Sequence, residues 1–389
     1  MMFINRFLIC AVLSSKAASA ISKTLASPSE NEGPGENLRQ LRGGINAGKK
    51  SVTTLEDGIR KLENVARSLS FGAEKDLDEA KHIIIACKEG EGEFMCKKRI
   101  SSTIPTEAHD DFRVINYMEL VNAYSCEVRG DLSILDALSD DVHDDPRRET
   151  MHIKESVRIH RNLQFGQSTP YGIELVKAKD VWKKYNKGEN VRVCVMDTGV
   201  DRDHPDLDND RFFGYDGDEL VQPWYRDTDG HGTHVAGTIA ASDNNEGVVG
   251  VAPEAEIFIA RVFSSNGQFY SSNIITALQA CKDGGADVIS MSLGGFYSVD
   301  YEMRAYADLH EKFGIVTVAA SGNTGGDDLM YPAAYDNVIS VGSVNWNSDR
   351  SSFSTKNNKL DVAAPGSSIV SSRFRSQIHQ SEPFEKSVY

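Results

Sequence analysis

At 389 residues the chain has room for two domains and processing segments. Its apolar share of 40%, charged share of 25% and 32 glycines are those of a globular α/β protein. A net charge of −15 argues against nucleic acid or an anionic membrane surface as partner, because phosphates would be repelled. No apolar run reaches the ~18 residues that a membrane span needs, so none is expected.

The N-terminus has the order of a secretory signal: Arg6, the apolar stretch Phe7–Leu13, then Ala18-Ser19-Ala20 as a small-residue cleavage site. Residues 1–20 are therefore expected to be removed and the product secreted. Residues 21–76, which open with a stretch rich in Ser, Gly, Pro, Asn and Lys, are read as a flexible pro-segment. A small folded unit follows over 77–165. Lys81–Cys87 is a β-branched strand signal, with Val114–Tyr124 and Leu132–Leu138 as candidate strand and helix. The acidic run Asp140–Asp145 and the mixed-charge Arg147–Arg161 lead to a Gly/Pro boundary at Gln167–Gly172. Six cysteines are too few and too unevenly split for a disulfide scaffold. Cys194, in an apolar run, and Cys281, in a helical one, read as small buried thiols. No Asn-x-Ser/Thr sequon is present.

From there short apolar runs alternate with helical ones. Strands are expected at 191–196, 256–262, 287–291, 315–319 and 338–344, and helices at 233–241, 272–281 and 299–313. Continuous apolar strands separated by helices imply a parallel sheet covered on both faces. Functional residues of such sheets gather at the carboxyl ends of the strands, where Asp197, Ser292–Gly294 and Asn323 all fall.

Asp197-Thr198-Gly199 alone is weak. Aspartic proteases carry two such triplets to share one proton, and this chain has one. Asp197 could equally cap a helix. His231-Gly232-Thr233-His234 places two histidines three apart, whereas helical zinc pairs stand four apart with a glutamate between them, which speaks against a metal. Small residues at 232, 236 and 237 let a helix pack closely behind His231, a support suited to a proton-transferring imidazole. His234 reads as structural. Asn323 follows Ala319-Ala320-Ser321-Gly322 at a strand end, either as a plain turn or as an amide donor to a developing oxyanion.

The strings DTGVDRDHPDL, HGTHVAGTIAA, VVGVAP, ISMSLGG, VAASGNTG, YPAAYDNVISVGSVN and DVAAPGSSI resemble the subtilisin-like serine proteases of the subtilase family over about Gln167–Ser372. The resemblance implies an α/β, three-layer doubly wound and mostly parallel sheet, preceded by a small α+β propeptide domain. It implies Asp197 as the orienting carboxylate, His231 as general base and Asn323 as oxyanion donor. Ser292, Leu293 and Gly294 would bind a polypeptide substrate by edge-strand addition. It also implies a structural calcium held by Gln167, Asp206, Ser242, Asn244, Glu246 and Val248, an oxygen-only set suited to that ion. The unit at 77–165 would be the chain's own propeptide, acting as intramolecular inhibitor, with a maturation bond near Arg161–Gly166. A monomer is expected.

The chain departs from the family after Ser372, a few residues beyond Ala364-Pro365-Gly366. The family's serine, in a Gly-Thr-Ser-Met-Ala segment, has no counterpart in Arg373–Tyr389. Ser387 lacks the Gly-Thr before it and the small-residue helix behind it. The expectation is a peptidase domain at 166–372 truncated before its nucleophile, an unmatched tail at 373–389, and a chain inactive as written. Two rivals carry no catalysis: a pseudoprotease that binds peptides along 292–294, or a propeptide-type inhibitor acting in trans on another protease.

Overall fold

The structure is a computed structural model and describes residues 80–105, 108, 110–130, 132–150, 166–263 and 268–372. The signal at 1–20, the pro-segment at 21–76, residues 161–165 of the expected maturation stretch and the tail with Ser387 lie outside the described residues.

The N-terminal unit consists of β1 (Lys81–Ala86), α1 (Glu93–Thr103), β2 (Phe112–Met118), β3 (Ala123–Val128) and β4 (Val142–Asp144), in sheet order β2-β3-β1-β4. All its strand pairs are antiparallel. The single strand expected at 114–124 is instead a hairpin. A short 3₁₀ turn at Glu119–Val121 and Asn122, in the left-handed region at φ 47°, reverse the chain there, a conformation that asparagine tolerates better than most residues. Leu132–Leu138 lies in a 3₁₀ segment, Leu132–Asp141. Alternation along β1 divides three consecutive isoleucines. Ile83 and Ile85 pack into the unit's own core with Cys96, Ile100 and Cys126. Ile84 packs with Met118 and Ala123 into the core of the larger domain.

That larger domain is built on seven strands: β6 (Arg192–Asp197), β7 (Phe212–Gly214), β8 (Glu256–Arg261), β10 (Val288–Met291), β12 (Val316–Ala320), β13 (Val338–Val344) and β14 (Val362–Pro365). Their order is β14-β13-β12-β10-β6-β8-β7, with every pair parallel. Two short helices, α2 (Tyr171–Leu175) and α3 (Ala178–Lys184), lead into it. Helix α4 (His231–Ala240) covers one face and α5 (Ser271–Asp283) with α6 (Asp300–Phe313) the other. The pleat explains why β6 is apolar throughout: Val193 and Val195 point to α4, while Cys194 and Met196 point to α5 and α6. This is the expected three-layer α/β architecture.

The cysteines correct the sequence reading. Cys194 and Cys281 are not thiols but a disulfide, Cα–Cα 5.6 Å, and Cys87–Cys96 is a second, at 5.3 Å. Cys194 faces α5, and Cys281 lies on the buried side of α5, so strand and helix present them to each other within bridging range. Only Cys126 is a buried thiol among the described residues, and burial pushes it up to about 12.

Candidate active site

Asp197 closes β6, Ser292 follows β10 and Asn323 follows β12, three adjacent strands of the sheet, so the parallel order alone gathers them along one carboxyl edge. Opposite Asp197, α4 begins with His231. Its Nδ1 lies 2.5 Å from Asp197 Oδ1. Both side chains are buried, at 0% and 1% exposure. A carboxylate only accepts hydrogen bonds, so Nδ1 carries the proton and Nε2 is the basic nitrogen. Asp197 Oδ1 also accepts from the Thr198 backbone N–H at 2.7 Å. The close approach depends on Gly232, where an added Cβ would sit 2.1 Å from the Gly199 carbonyl oxygen. His234, one turn on, faces the Ile369 carbonyl with Nε2 at 3.3 Å.

Asn323 and Ser292 line a common cavity of about 180 Å³ with Met291, Gly322, Phe353 and Pro365. Leu293–Gly294 form β11, which pairs antiparallel with β5 (Arg147–Thr150): Leu293 lies opposite Thr150 and Gly294 opposite Glu149. The other edge of β5 pairs with β9 (Gln268–Tyr270). The edge expected to take a peptide strand therefore holds a strand of this same chain. Just before it, Asp145 caps α5, accepting from Ser272 N at 2.8 Å and Ser272 Oγ at 2.5 Å.

Four of the six residues expected to hold a cation converge beside the far end of α4. Gln167 Nε2 lies 2.5 Å from the Ser242 carbonyl oxygen and 3.1 Å from that of Val248. Asp206 Oδ2 accepts from Val248 N at 2.9 Å and Ser372 Oγ at 3.2 Å. Asp206 Oδ1 is buried and has no hydrogen-bond partner among the described residues. Burial pushes the Asp206 carboxyl above its ordinary value, against the bond from Val248. The Asn244 Oδ1 accepts from Glu246 N at 2.9 Å, and both residues are exposed. Two carbonyls, an amide and a carboxylate with an orphaned buried oxygen form a hard oxygen set, which fits calcium once the Gln167 amide turns Oε1 inward.

The pattern of the subtilase family (Peptidase S8) matches residues 188–387, just over half of the chain. The chain belongs to the subtilase family. The major intracellular serine protease of Bacillus subtilis (strain 168) is 44% identical over 211 residues, 52% of this chain and 66% of its own length. Subtilisin DY of Bacillus licheniformis is 42% identical over 209 residues, 53% of this chain and 75% of its own length. The crystal structure of the subtilisin-like protease Apa1 from Pseudoalteromonas sp. AS-11 is 40% identical, covers 53% of this chain and 47% of its own, and has a TM-score of 0.49. No helix among the described residues is long and apolar enough to cross a membrane.

Sequence reading missed one part of this subtilase's site. Asp227 is fully buried four residues before His231, and its carboxylate receives five donors. Arg261, also buried, reaches the Pro223 carbonyl at 3.1 Å; burial pulls its guanidinium below the ordinary value, and the Asp227 charge opposes that shift. The signal was present as Asp-Thr-Asp-Gly just ahead of the helix, a capping pattern that the adjacent histidine motif overshadowed.

Proposed function

We propose that this subtilase is the precursor of a secreted subtilisin-type serine endopeptidase. The His231 Nδ1–Asp197 Oδ1 contact carries the reading. His231 Nε2 takes the proton of a serine hydroxyl as that oxygen attacks a peptide carbonyl, and Asp197 holds the tautomer and stabilises the imidazolium. Asn323 donates to the oxyanion, and the polypeptide substrate adds as a strand along Ser292–Gly294. The pairing of β5 with both β9 and β11 supports the N-terminal unit as an intramolecular inhibitor seated where that substrate would lie. Two disulfides among the described residues agree with passage through an oxidising, secretory compartment. Gln167, Asp206, Val248 and Ser242, with Asn244 and Glu246, are proposed to hold a calcium. When bound, it supplies the positive charge that Asp206 lacks and ties the 242–248 loop to Gln167.

Among the described residues none is assigned as nucleophile, and the chain as written is proposed not to turn over peptides. The full chain is expected to take no label from a fluorophosphonate serine probe. A chimera in which, after Ser372, the chain continues with the corresponding C-terminal part of subtilisin DY is expected to label and to hydrolyse a peptide. His231→Ala in that chimera should abolish both. Labelling of the unmodified chain that depends on His231 overturns the inactive reading, and a folded chimera that does not label overturns the assignment of the pair. The same β5 pairing favours a second reading, inhibition of another protease in trans, for which nanomolar inhibition by residues 77–165 is the test.

A further inference from the structure

The buried aspartate behind the histidine is bonded in a way that helix capping alone does not require. Its Oδ1 accepts from Thr198 Oγ1 at 3.0 Å, from Asp229 N at 3.1 Å and from Gly230 N at 2.8 Å. Its Oδ2 accepts from Thr233 N at 2.9 Å and Thr233 Oγ1 at 2.6 Å. Two of the five donors are hydroxyls, and a carboxylate leaves them no choice of direction: each must point its hydrogen at Asp227. The lone pairs of those hydroxyls are then free to accept elsewhere. Thr198 Oγ1 accepts from Gly232 N at 2.9 Å, and Thr233 Oγ1 accepts from Asp201 N at 2.9 Å. The two bonds run in opposite directions. The first ties the turn after β6 to the start of α4, and the second ties the start of α4 back to that same turn. Asp197 and His231 each sit next to one end of this double tie.

We infer that Asp227 is a positioning residue for the His231–Asp197 pair, acting through the Thr198 and Thr233 hydroxyls to clamp the two backbone segments that carry base and orienter. The inference rests on the proposed reading of that pair as base and orienter. Asp227 touches neither imidazole nor substrate. Its effect passes through Thr198, whose backbone N–H bonds the orienter and whose hydroxyl bonds the first turn of the helix. An amide in its place presents two N–H groups to a site that contains only donors, so Asp227→Asn must leave at least one hydroxyl reversed. A reversed Thr198 hydroxyl turns its hydrogen on Gly232 N–H and opens the tie. The charged groups around the clamp are Asp197 on β6, Arg261 on β8 and Asp229 in the loop, whose carboxylate oxygen lies 3.2 Å from His231 N.

The experiment is proton NMR on the full chain, following the strongly deshielded His231 Nδ1–H and its exchange with water. His231→Gln identifies the signal by removing it. The wild type and Thr198→Ser, which keeps the hydroxyl, are expected to show a protected signal. Asp227→Asn and Thr198→Val are expected to broaden or lose it, with exchange about tenfold faster or more. Ile257→Val serves as a control that loosens the sheet without touching the clamp, and its signal should stay protected. A purely structural role predicts that Ile257→Val and Thr198→Val behave alike once matched for stability, and that result overturns the inference. If Asp227→Asn fails to fold, the contrast between Thr198→Val and Thr198→Ser decides, because no contrast between them also overturns it. A wild-type chain with no such signal refutes the base–orienter reading itself, a different failure from a protected signal that none of these substitutions moves.

Discussion

Helix α4 has a buried aspartate beside each end, and the two ends are finished differently. At the N-terminal end Asp227 is saturated: five protein donors share its two oxygens. At the C-terminal end Asp206 receives two donors on Oδ2, while Oδ1 has none among the described residues. Burial pushes both carboxyls up, yet only one has been given enough N–H and O–H groups to offset the lost water. A saturated carboxylate locks backbone in place and has no capacity left for a ligand. An unsaturated one, beside carbonyls that accept but cannot donate, keeps the capacity that the proposed calcium would use. The helix dipole agrees with this division, since its positive end faces Asp227 and its negative end lies beside the proposed calcium loop.

The contrast can be broken from either side. Asp227→Ala leaves three buried and two part-buried donors without their acceptor and should cost on the order of 3–5 kcal/mol in urea unfolding, equally with calcium or chelator present. Next in size, and confined to the other end, free calcium at about a thousand times its dissociation constant should raise stability by ~4 kcal/mol over chelator, and Asp206→Ala should erase that gain. A chelator that leaves the unfolding midpoint unchanged would remove the proposed ion. Gly247→Ala tests the loop without replacing a ligand side chain. Gly247 has φ 54°, and an added Cβ would meet the Asp206 carboxylate at 2.5 Å, so a loss of ~1–3 kcal/mol is expected, larger with calcium than without. Smallest of all, Asn244→Ala at an exposed position should change the chelated protein by no more than ~0.5 kcal/mol while reducing the gain from calcium.

How far the sequence could be read follows the same division between local and shared interactions. The parallel strands were legible because burial on both faces leaves an unbroken apolar run, and β13 begins and ends where expected, at Val338 and Val344. The histidine and aspartate were legible because their neighbours are small residues at characteristic spacings. Strands β5 and β9 were not, since three or four residues acquire strand character only from partners far along the chain. The Cys194–Cys281 bridge was hidden for a related reason: it joins positions 87 apart that meet only once α5 lies on the sheet. Asp227 escaped because a loop aspartate near a helix start is common, and only the fold reveals that two threonines from different segments turn their hydroxyls toward it.

The three isoleucines of β1 have a consequence for how the two units come apart. Because Ile84 belongs to the larger domain's core while Ile83 and Ile85 belong to the N-terminal unit's own, adhesion and internal cohesion are written on alternate residues of one strand. Selection can therefore retune the grip between the N-terminal unit and the larger domain at position 84 without loosening the unit itself, and can retune the unit's durability at 83 or 85 without altering its grip. Once parted, the unit would expose Ile84, Met118 and Ala123 together, a greasy face that marks it for unfolding or for digestion by whatever protease is nearby. The arrangement would make release of the N-terminal unit self-reinforcing.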